Sequence, residues 1–212
     1  MKKSFLILFI LLLGLTQAFC QQAYQKPSKE ILDVLNAPPL PTVFIDPTAS
    51  KMLLARPVLY PSIADLAEPI LKLAGVRVNP RTNMERSYIF YWESLSLKDI
   101  SSGRETPIEL PPDVKRLDGF QWNANGTMVA FINESEGGAD LWVLDAVTCQ
   151  AKKIAGVKIN PLLDNYLQWM PDQQTLLVKL IPPDRGSPPQ PKTIPMGPKI
   201  LESSGSAVAS SP

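Results

Sequence analysis

The chain has 212 residues, and its 21 basic and 20 acidic residues leave a net charge of +1. It contains no histidine, which excludes the Ser-His-Asp and Cys-His arrangements of nucleophilic catalysis, and it lacks the G-x-S-x-G motif of a hydrolase nucleophile elbow. The charges are nearly balanced and no basic patch is interleaved with aromatic residues, so no nucleic-acid partner is expected.

The first 20 residues have the pattern of a secretory signal peptide. Two lysines follow Met1, and residues 5–15 form an apolar run that is too short to span a bilayer comfortably. We therefore expect residues 1–20 to be removed and the protein to be secreted or periplasmic, without a stable membrane anchor. An uncleaved anchor is the alternative.

Two cleavage sites fit the small residues at the end of this segment. Cleavage after Cys20 starts the mature chain at Gln21, whereas cleavage after Ala18 starts it at Phe19. A lipoprotein acylated on Cys20 is a rival interpretation, but bacterial lipoprotein signals generally carry a small residue where Phe19 stands.

Residues 21–40 are expected to form an N-terminal arm with a short helix. Ser28 is a suitable N-cap, and Ile31, Leu32 and Leu35 then fall on one face. The prolines at 38 and 39 prevent the helix from continuing. The arm either packs on the rim of the folded domain or on a neighbouring domain, or it covers an edge strand.

Two signatures recur along the chain at nearly the same spacing. Residues 95–108 align without a gap with residues 141–154, 46 positions later. Each stretch reads as a strand ending in Asp, a tight turn and a return strand ending in Ile. Residues 120–131 match residues 167–178, 47 positions later.

An additional, more degenerate copy lies at residues 42–55, so that in chain order the first, second and third copies begin at residues 42, 120 and 167. A period of about 40–50 residues, built from short strands and polar turns, is typical of a β-propeller with one four-stranded sheet per blade. We predict an all-β fold, a partial β-propeller of two to three blades over residues 41–181. Because a closed propeller needs at least four blades, we interpret the chain as the N-terminal piece of something longer.

The extra length between the first two copies is an insertion over residues 57–86. It carries a short helical stretch followed by two β-favouring stretches. Its main cations are Arg77, Arg81 and Arg86. They either line a pore that attracts acidic peptides or occupy solvated loop positions, and we expect the second.

The conspicuous aromatic and acidic residues of the repeat are expected to be structural. Trp122 and Trp169 stand at equivalent places and are predicted to pack between sheets. Asp99 and Asp145 end equivalent strands and are predicted to bond their own turn backbone, not to form a catalytic pair.

Cys149 replaces Gly103 at a turn position that often requires a positive φ. A reactive thiol needs a lowered pKa and a nearby base, so we interpret Cys149 as an incidental turn residue. We predict no catalytic, cofactor-binding or metal-binding residue in this chain.

A Ser-Lys mechanism would need a serine beside a buried lysine of depressed pKa. Three pairs are close in sequence: Ser28 and Lys29, Ser50 and Lys51, and Ser96 and Lys98. All three lysines read as solvated, where a lysine stays protonated and cannot act as a base.

Residues 182–212 form a proline- and serine-rich tail with 8 prolines. Such a composition cannot bury enough apolar surface to order itself. We interpret the tail as an exposed loop or linker that follows the opening hairpin of the third copy.

Several short segments indicate a particular protein family more specifically than the repeat does. They are residues 27–35 with 37–39, residues 61–67, residues 77–83, residues 183–186, and residues 197–198 with 202–205. With these segments the chain resembles the N-terminal half of the glutamyl endopeptidase-like proteins of bacteria and plastids, within the prolyl oligopeptidase family of serine peptidases.

In that family an N-terminal propeller caps a C-terminal α/β-hydrolase domain, which carries the Ser-Asp-His triad and the oxyanion hole. The propeller admits short or unfolded peptides and excludes folded proteins. None of the family's catalytic residues has a position here, so the resemblance implies a non-catalytic role in gating or docking peptide substrates for a hydrolase domain missing from this chain. The alternative is a periplasmic binding or scaffold propeller of the translocation-protein type, with no associated chemistry.

Overall fold

The computed structural model describes residues 25–86 and 90–187. The predicted signal peptide and most of the proline-rich tail lie outside the described residues. The chain divides into two compact units, residues 1–40 and residues 41–212.

In the smaller unit the described residues form helix α1 (Lys29–Leu35). The helix begins directly after Ser28, as predicted, but the Ser28 side chain makes no capping hydrogen bond. The N–H of Asn36 donates to the carbonyl of Leu32 at 2.8 Å, and the helix ends before the two prolines that were predicted to stop it.

The larger unit consists mostly of β-strands. In chain order its described elements are β1 (Thr42–Ile45), β2 (Lys51–Pro57), helix α2 (Ile63–Leu66), β3 (Leu71–Leu73), β4 (Val76–Val78), β5 (Trp92–Asp99), β6 (Glu105–Pro107), β7 (Leu117–Trp122), β8 (Met128–Ser135), β9 (Gly138–Asp145), β10 (Gln150–Ile159), β11 (Leu167–Trp169) and β12 (Leu176–Val178). The predicted mostly-β fold is confirmed. Among the described residues, no helix is long and apolar enough to cross a membrane.

The strands form two four-stranded antiparallel meanders. The first meander has the order β1-β2-β5-β6 and the second has the order β7-β8-β9-β10. A single residue pair, Trp92 with Leu117, connects β5 to β7. The third copy contributes the hairpin β11–β12, and the insertion between β2 and β5 contains α2 and the hairpin β3–β4.

Two apolar cores lie on opposite faces of the second meander. Because successive side chains of a strand point to opposite faces, Val129 and Phe131 of β8 join the core shared with the first meander, whereas Ala130 and Ile132 join the core shared with hairpin β11–β12. All four side chains are fully buried. The second meander is therefore covered on both faces.

The tryptophans link each copy to the one before it. The indole N–H of Trp122 donates to the carbonyl of Phe44 at 3.1 Å, and that of Trp169 donates to the carbonyl of Gln121 at 3.0 Å. Phe44 and Gln121 are equivalent positions, each one residue before the tryptophan position of its own copy. The predicted packing of both tryptophans between sheets is confirmed, and the same contact recurs from copy to copy.

The turns that follow β5 and β9 also match. A carboxylate oxygen of Asp99 accepts the N–H of Ser102 at 2.8 Å, and one of Asp145 accepts the N–H of Thr148 at 2.9 Å. Cys149 has a φ of 58°, close to the 69° of the glycine in the earlier turn. The predicted roles of the two aspartates and of Cys149 as turn residues are confirmed.

Candidate functional site: a buried charge cluster held by the insertion

Five charged side chains meet where the insertion contacts the second meander. We call Asp65, Glu68, Arg86, Arg116 and Glu134 the charge cluster. The first three belong to the insertion, the fourth precedes β7, and the fifth lies in β8. Three of them are less than a tenth exposed, namely Asp65, Arg86 and Glu134. Buried charges are tolerated only when they are paired, so the contacts decide what this cluster can do.

A capping box places Asp65 in the cluster. The N–H of Asp65 donates to the Ser62 hydroxyl at 3.2 Å, and the N–H of Ser62 donates to Oδ2 of Asp65 at 2.8 Å. This reciprocal pair satisfies two backbone donors at the start of α2. It also fixes the Asp65 carboxylate so that Oδ1 contacts the guanidinium of Arg116.

Glu134 is shared by the two arginines. Nη2 of Arg86 contacts Glu134 and also donates to Oε2 of Glu68 at 2.9 Å. Nε of Arg116 donates to the second carboxylate oxygen of Glu134 at 2.9 Å. Each arginine thus bridges a carboxylate of β8 to a carboxylate of the insertion, which fastens the insertion to the second meander.

Two of the segments that carry the family resemblance contact the charge cluster, and a third contacts one of these two. The Asn79 side chain is fully buried and donates to Oε2 of Glu68 at 2.8 Å. The guanidinium of Arg185 contacts the side-chain oxygen of Asn83. Residues 61–67 and 77–83 thus contact the cluster, and residues 183–186 contact residues 77–83.

Pairing within the cluster favours the charged forms of Asp65 and Arg116. Burial by itself would raise the pKa of Asp65, but the hydrogen bonds from Ser62 and the charge of Arg116 outweigh it and lower that pKa. Burial would lower the pKa of Arg116, but Glu134 and the carboxylates of the insertion raise it. The mutual pairing therefore stabilises both charges.

A cavity of about 300 Å³ opens beside the cluster, and its walls include Arg86, Tyr91, Arg116, Asp118 and Tyr166. The guanidinium of Arg116 lies 4.9 Å from the ring centroid of Tyr91, within the range of a cation–π contact. Its Nη2 is buried and has no hydrogen-bond partner among the described residues. Burial raises the pKa of Asp118 and of Tyr166. The walls of the cavity thus carry both hydrogen-bond donors and acceptors.

The charge cluster does not resemble a catalytic centre. An arginine cannot be deprotonated in a protein, and Glu134 has both carboxylate oxygens engaged by arginines. The sequence has no histidine to act as a base. The geometry supports a structural clamp, and the prediction that the chain carries no catalytic, cofactor or metal residue stays a prediction.

One expectation for the insertion arginines is wrong. Arg77 and Arg81 are exposed, as expected of loop cations, but Arg86 is only 6% exposed. The reason is that Glu134, 48 residues later in the chain, folds back against it. Sequence spacing gave no sign of this pairing.

Several groups of the three Ser-Lys pairs have hydrogen-bond partners outside their pairs. Lys29 is exposed, as expected, but Lys51 and Lys98 are half-buried, so their expected solvation is wrong. The Lys51 ammonium donates to the carbonyl of Ala146 at 2.9 Å. The hydroxyl of Ser96 donates to a glutamate carboxylate at 2.6 Å. These polar groups are thus engaged with partners outside the pairs.

Comparison with known proteins gives sequence relatives. No protein-family model matches the chain. The probable chloroplastic glutamyl endopeptidase of Oryza sativa subsp. japonica is 32% identical over 198 residues, covering 87% of this chain and 21% of the relative. The probable chloroplastic glutamyl endopeptidase of Arabidopsis thaliana is 34% identical over 190 residues, covering 84% of this chain and 20% of the relative. The chain therefore spans about a fifth of the length of these curated relatives.

A solved structure was also matched. The crystal structure of TolB from Acinetobacter baumannii aligns with a TM-score of 0.29 and 17% identity, covering 69% of this chain and 38% of that protein. A score this low carries no argument for a shared fold or function.

The sequence match agrees with the resemblance inferred from the short segments. It extends over more than four fifths of the chain and so includes the insertion as well as the repeat. The chain is related to the glutamyl endopeptidases.

Proposed function

We propose that this chain is the non-catalytic, N-terminal β-propeller part of a glutamyl endopeptidase-like serine peptidase of the prolyl oligopeptidase family. It gates or docks peptide substrates for an α/β-hydrolase domain that lies outside this sequence. The observation that carries the proposal is the sequence relationship, which covers 87% of the chain but only 21% of the rice relative. A region of that extent corresponds to one part of a larger peptidase.

Features of the two meanders support propeller blades. Each is a four-stranded antiparallel sheet, as a blade is, and each tryptophan donates to the same backbone position of the preceding copy. The outer face of the first meander and the outer face of hairpin β11–β12 carry exposed apolar side chains. Ile45 on the first meander is 56% exposed, and Leu177 on the hairpin is 59% exposed. Further blades packed on these faces would remove those side chains from water.

The charge cluster supports the part of the proposal in which the insertion is a rigid element at the rim of the propeller. A part that admits unfolded peptides and rejects folded proteins must hold a fixed opening. Arg86 and Arg116 tie the insertion to β8 through Glu134, so the insertion is held at more than its two chain ends. We assign the insertion to the wall of the substrate entrance.

The proposal includes a location outside the cytoplasm. It rests on the signal-peptide pattern of residues 1–20. The two relatives are named as chloroplastic proteins, so the compartment of this chain has to be measured on its own. N-terminal sequencing of exported protein should begin at Gln21 or at Phe19.

Gating can be tested by exchanging the matched part of the rice relative for this chain. We expect the rice protein and the chimera to cleave a short glutamate-containing peptide and to spare a folded protein. A version that lacks the matched part but retains hydrolase activity should cleave both. If that shortened version still spares the folded protein, the gating role is wrong.

Labelling with a fluorophosphonate probe provides the control for folding and for the site of the chemistry. The chimera and the shortened version should each be labelled, because both carry a folded hydrolase part. The isolated chain should not be labelled and should hydrolyse no peptide above background. Labelling of the isolated chain at one serine, lost on substitution by alanine, would overturn the non-catalytic assignment.

A further inference from the structure

Hairpin β3–β4 of the insertion has one apolar face and one charged face. Its register pairs Lys72 of β3 directly with Arg77 of β4, and both side chains are exposed. Because successive side chains of a strand alternate between faces, these two cations share one face and the four apolar residues share the other. The apolar residues are Leu71, Leu73, Val76 and Val78.

The two cations form a close like-charge pair. The N–H of Arg86 donates to the carbonyl of Arg77 at 2.7 Å, so the backbone groups of Arg77 point away from β3. Lys72 and Arg77 are therefore a non-hydrogen-bonded pair, the type in which cross-strand side chains lie closest together. Like charges directly opposite each other destabilise a sheet. Among the described residues, neither cation forms an ion pair.

The three acidic residues of the insertion do not offset this positive charge. Asp65 and Glu68 are held by the arginines of the charge cluster. Glu85 pairs with Val78 across an isolated bridge. Because directly paired residues share a face of the sheet, its side chain lies on the face opposite to the cations. The charged face of the hairpin thus receives no counter-charge from the insertion itself.

Strand β3 has an open outer edge at Lys72. Within the described residues, its neighbour in the sheet is β4 alone. Because Lys72 belongs to a non-hydrogen-bonded pair, its N–H and carbonyl point away from β4. Such an edge is a template for a further strand, and a lysine on the edge opposes pairing with strands that carry no negative charge. The edge is therefore selective for an acidic strand.

We propose that the outer edge of β3 binds an extended acidic segment of a peptide substrate, with a glutamate or aspartate of the peptide opposite Lys72. The inference rests on the proposed function only in taking the peptide to be a peptidase substrate. In antiparallel pairing, the acidic residue donates its N–H to the Lys72 carbonyl and accepts the Lys72 N–H. Its carboxylate then lies beside Lys72 and Arg77 and supplies the missing counter-charge. This is the β-augmentation mode of recognition.

The apolar face of the hairpin determines which residues flank the acidic one. The two neighbours of the acidic residue lie opposite Leu71 and Leu73, on the apolar face. Leu73 is 46% exposed, and a cavity of about 210 Å³ borders both leucines. Apolar neighbours would be removed from water there, so the preferred segment is an acidic residue between two apolar residues. An unfolded peptide presents such a strand unpaired, which agrees with the proposed admission of unfolded peptides.

Peptide titration of the full, isotope-labelled chain, followed by amide NMR shifts, measures both the affinity and the position of binding. The probes are the peptide Ser-Thr-Val-Glu-Val-Thr-Ser and the same peptide with glutamine in place of glutamate. We expect the amide of Lys72 to shift, and the glutamate peptide to bind about fivefold more tightly at low salt. The difference should disappear in about 1 M salt, where exposed charges are screened.

Methylated peptides test the backbone pairing. Methylation of the glutamate amide removes the donor to the Lys72 carbonyl and should abolish binding. The amide of the next valine points away from β3, so its methylation should change the affinity by less than about twofold. Equal losses from the two methylations would contradict the proposed pairing.

A matched pair of substitutions tests the charged face. Arg77→Gln should reduce the preference for the glutamate peptide. Arg104→Gln makes the same change at an exposed position between β5 and β6 and should leave the preference unchanged. A chain that carries both Lys72→Glu and Arg77→Glu should instead prefer a peptide with lysine in place of glutamate. Unfolding cannot produce this reversal, because it would remove the binding of both peptides.

Three outcomes would overturn the proposal. In the first, the glutamate and glutamine peptides bind equally at low salt, or bind without shifting the Lys72 amide. In the second, the Lys72 amide is protected from hydrogen exchange in the peptide-free chain and loses that protection on Glu202→Gln, which would make the tail the occupant. In the third, a DNA duplex displaces the glutamate peptide, which would make nucleic acid the ligand.

Failure of this inference can be told apart from failure of the proposed function. Loss of gating in the chimera, with the preference for the glutamate peptide intact, would refute the proposed function and leave binding of the acidic segment standing. Equal binding of the two peptides, with gating intact, would refute this inference alone.

Discussion

Replacing Arg86 tests whether the charge cluster clamps the insertion. Arg86→Met keeps an apolar stem but leaves Glu68 and Glu134 without one of their cations. The side chains of Arg86 and Glu134 are 5% and 6% exposed, and removing one partner of a buried ion pair costs about 3–5 kcal/mol. Arg116 still donates to Glu134 at 2.9 Å. We therefore expect the lower end, about 3 kcal/mol of unfolding free energy.

Arg81→Met is the matched control. Arg81 belongs to the same insertion and lies 3.7 Å from the same Glu68, but its side chain is 54% exposed. Exposed pairs contribute about 0–1 kcal/mol. Urea denaturation of the two variants and the parent chain, followed by tryptophan fluorescence, gives the free energies if the slope with denaturant is unchanged. If Arg86→Met costs no more than Arg81→Met, the cluster is solvated and the clamp does not exist.

Three further predictions concern stability. Burial raises the pKa of Asp118, so ionisation of this carboxyl opposes folding at any pH above its pKa in the unfolded chain. Asp118→Asn should therefore raise the unfolding free energy at pH 7. The gain should disappear below about pH 4, where the carboxyl is protonated in both the folded and the unfolded state. Gly126→Ala should destabilise by at least about 1 kcal/mol more than Gly103→Ala. Both glycines have a φ of 69°, but only at Gly126 would the new Cβ clash with the Asp46 carboxylate. Equal melting temperatures would contradict this. Trp169→Phe removes the donor to a carbonyl of the second meander and should cost about 1–3 kcal/mol in the same urea assay, whereas an unchanged midpoint would show that the bond between copies is unimportant.

The repeated part of the fold could be predicted because its signals are local. The aspartates that end β5 and β9 accept hydrogen bonds from backbone N–H groups two or three residues later. A few consecutive residues therefore determine each turn. The alternation of apolar residues sets which face of a strand is buried. The packing of Trp122 and Trp169 between sheets was predictable because they occupy equivalent positions of successive copies, whereas their hydrogen bonds to Phe44 and Gln121 were found only in the structure.

The charge cluster could not be predicted because its contacts are distant in sequence. Arg116 reaches Asp65 across 51 residues, and Arg86 reaches Glu134 across 48. A buried arginine and an exposed one look the same in a sequence, since nothing local records whether a carboxylate will fold against it. One signal was available: the Ser-x-x-Asp pattern at Ser62 predicts a capping box and would have fixed the position of Asp65.

Three equivalent positions show how burial depends on the neighbouring copy. Leu53, Ala130 and Leu177 occupy the same place in β2, β8 and β12. Leu53 and Ala130 are fully buried, whereas Leu177 is 59% exposed. The residue type does not explain the difference in exposure, because Leu53 and Leu177 are both leucines and one is fully buried while the other is mostly exposed. What differs is that the first two copies each have another copy packed on that face, and in the described structure the third has none. Under the proposed function, a further blade packed on this face would remove Leu177 from water.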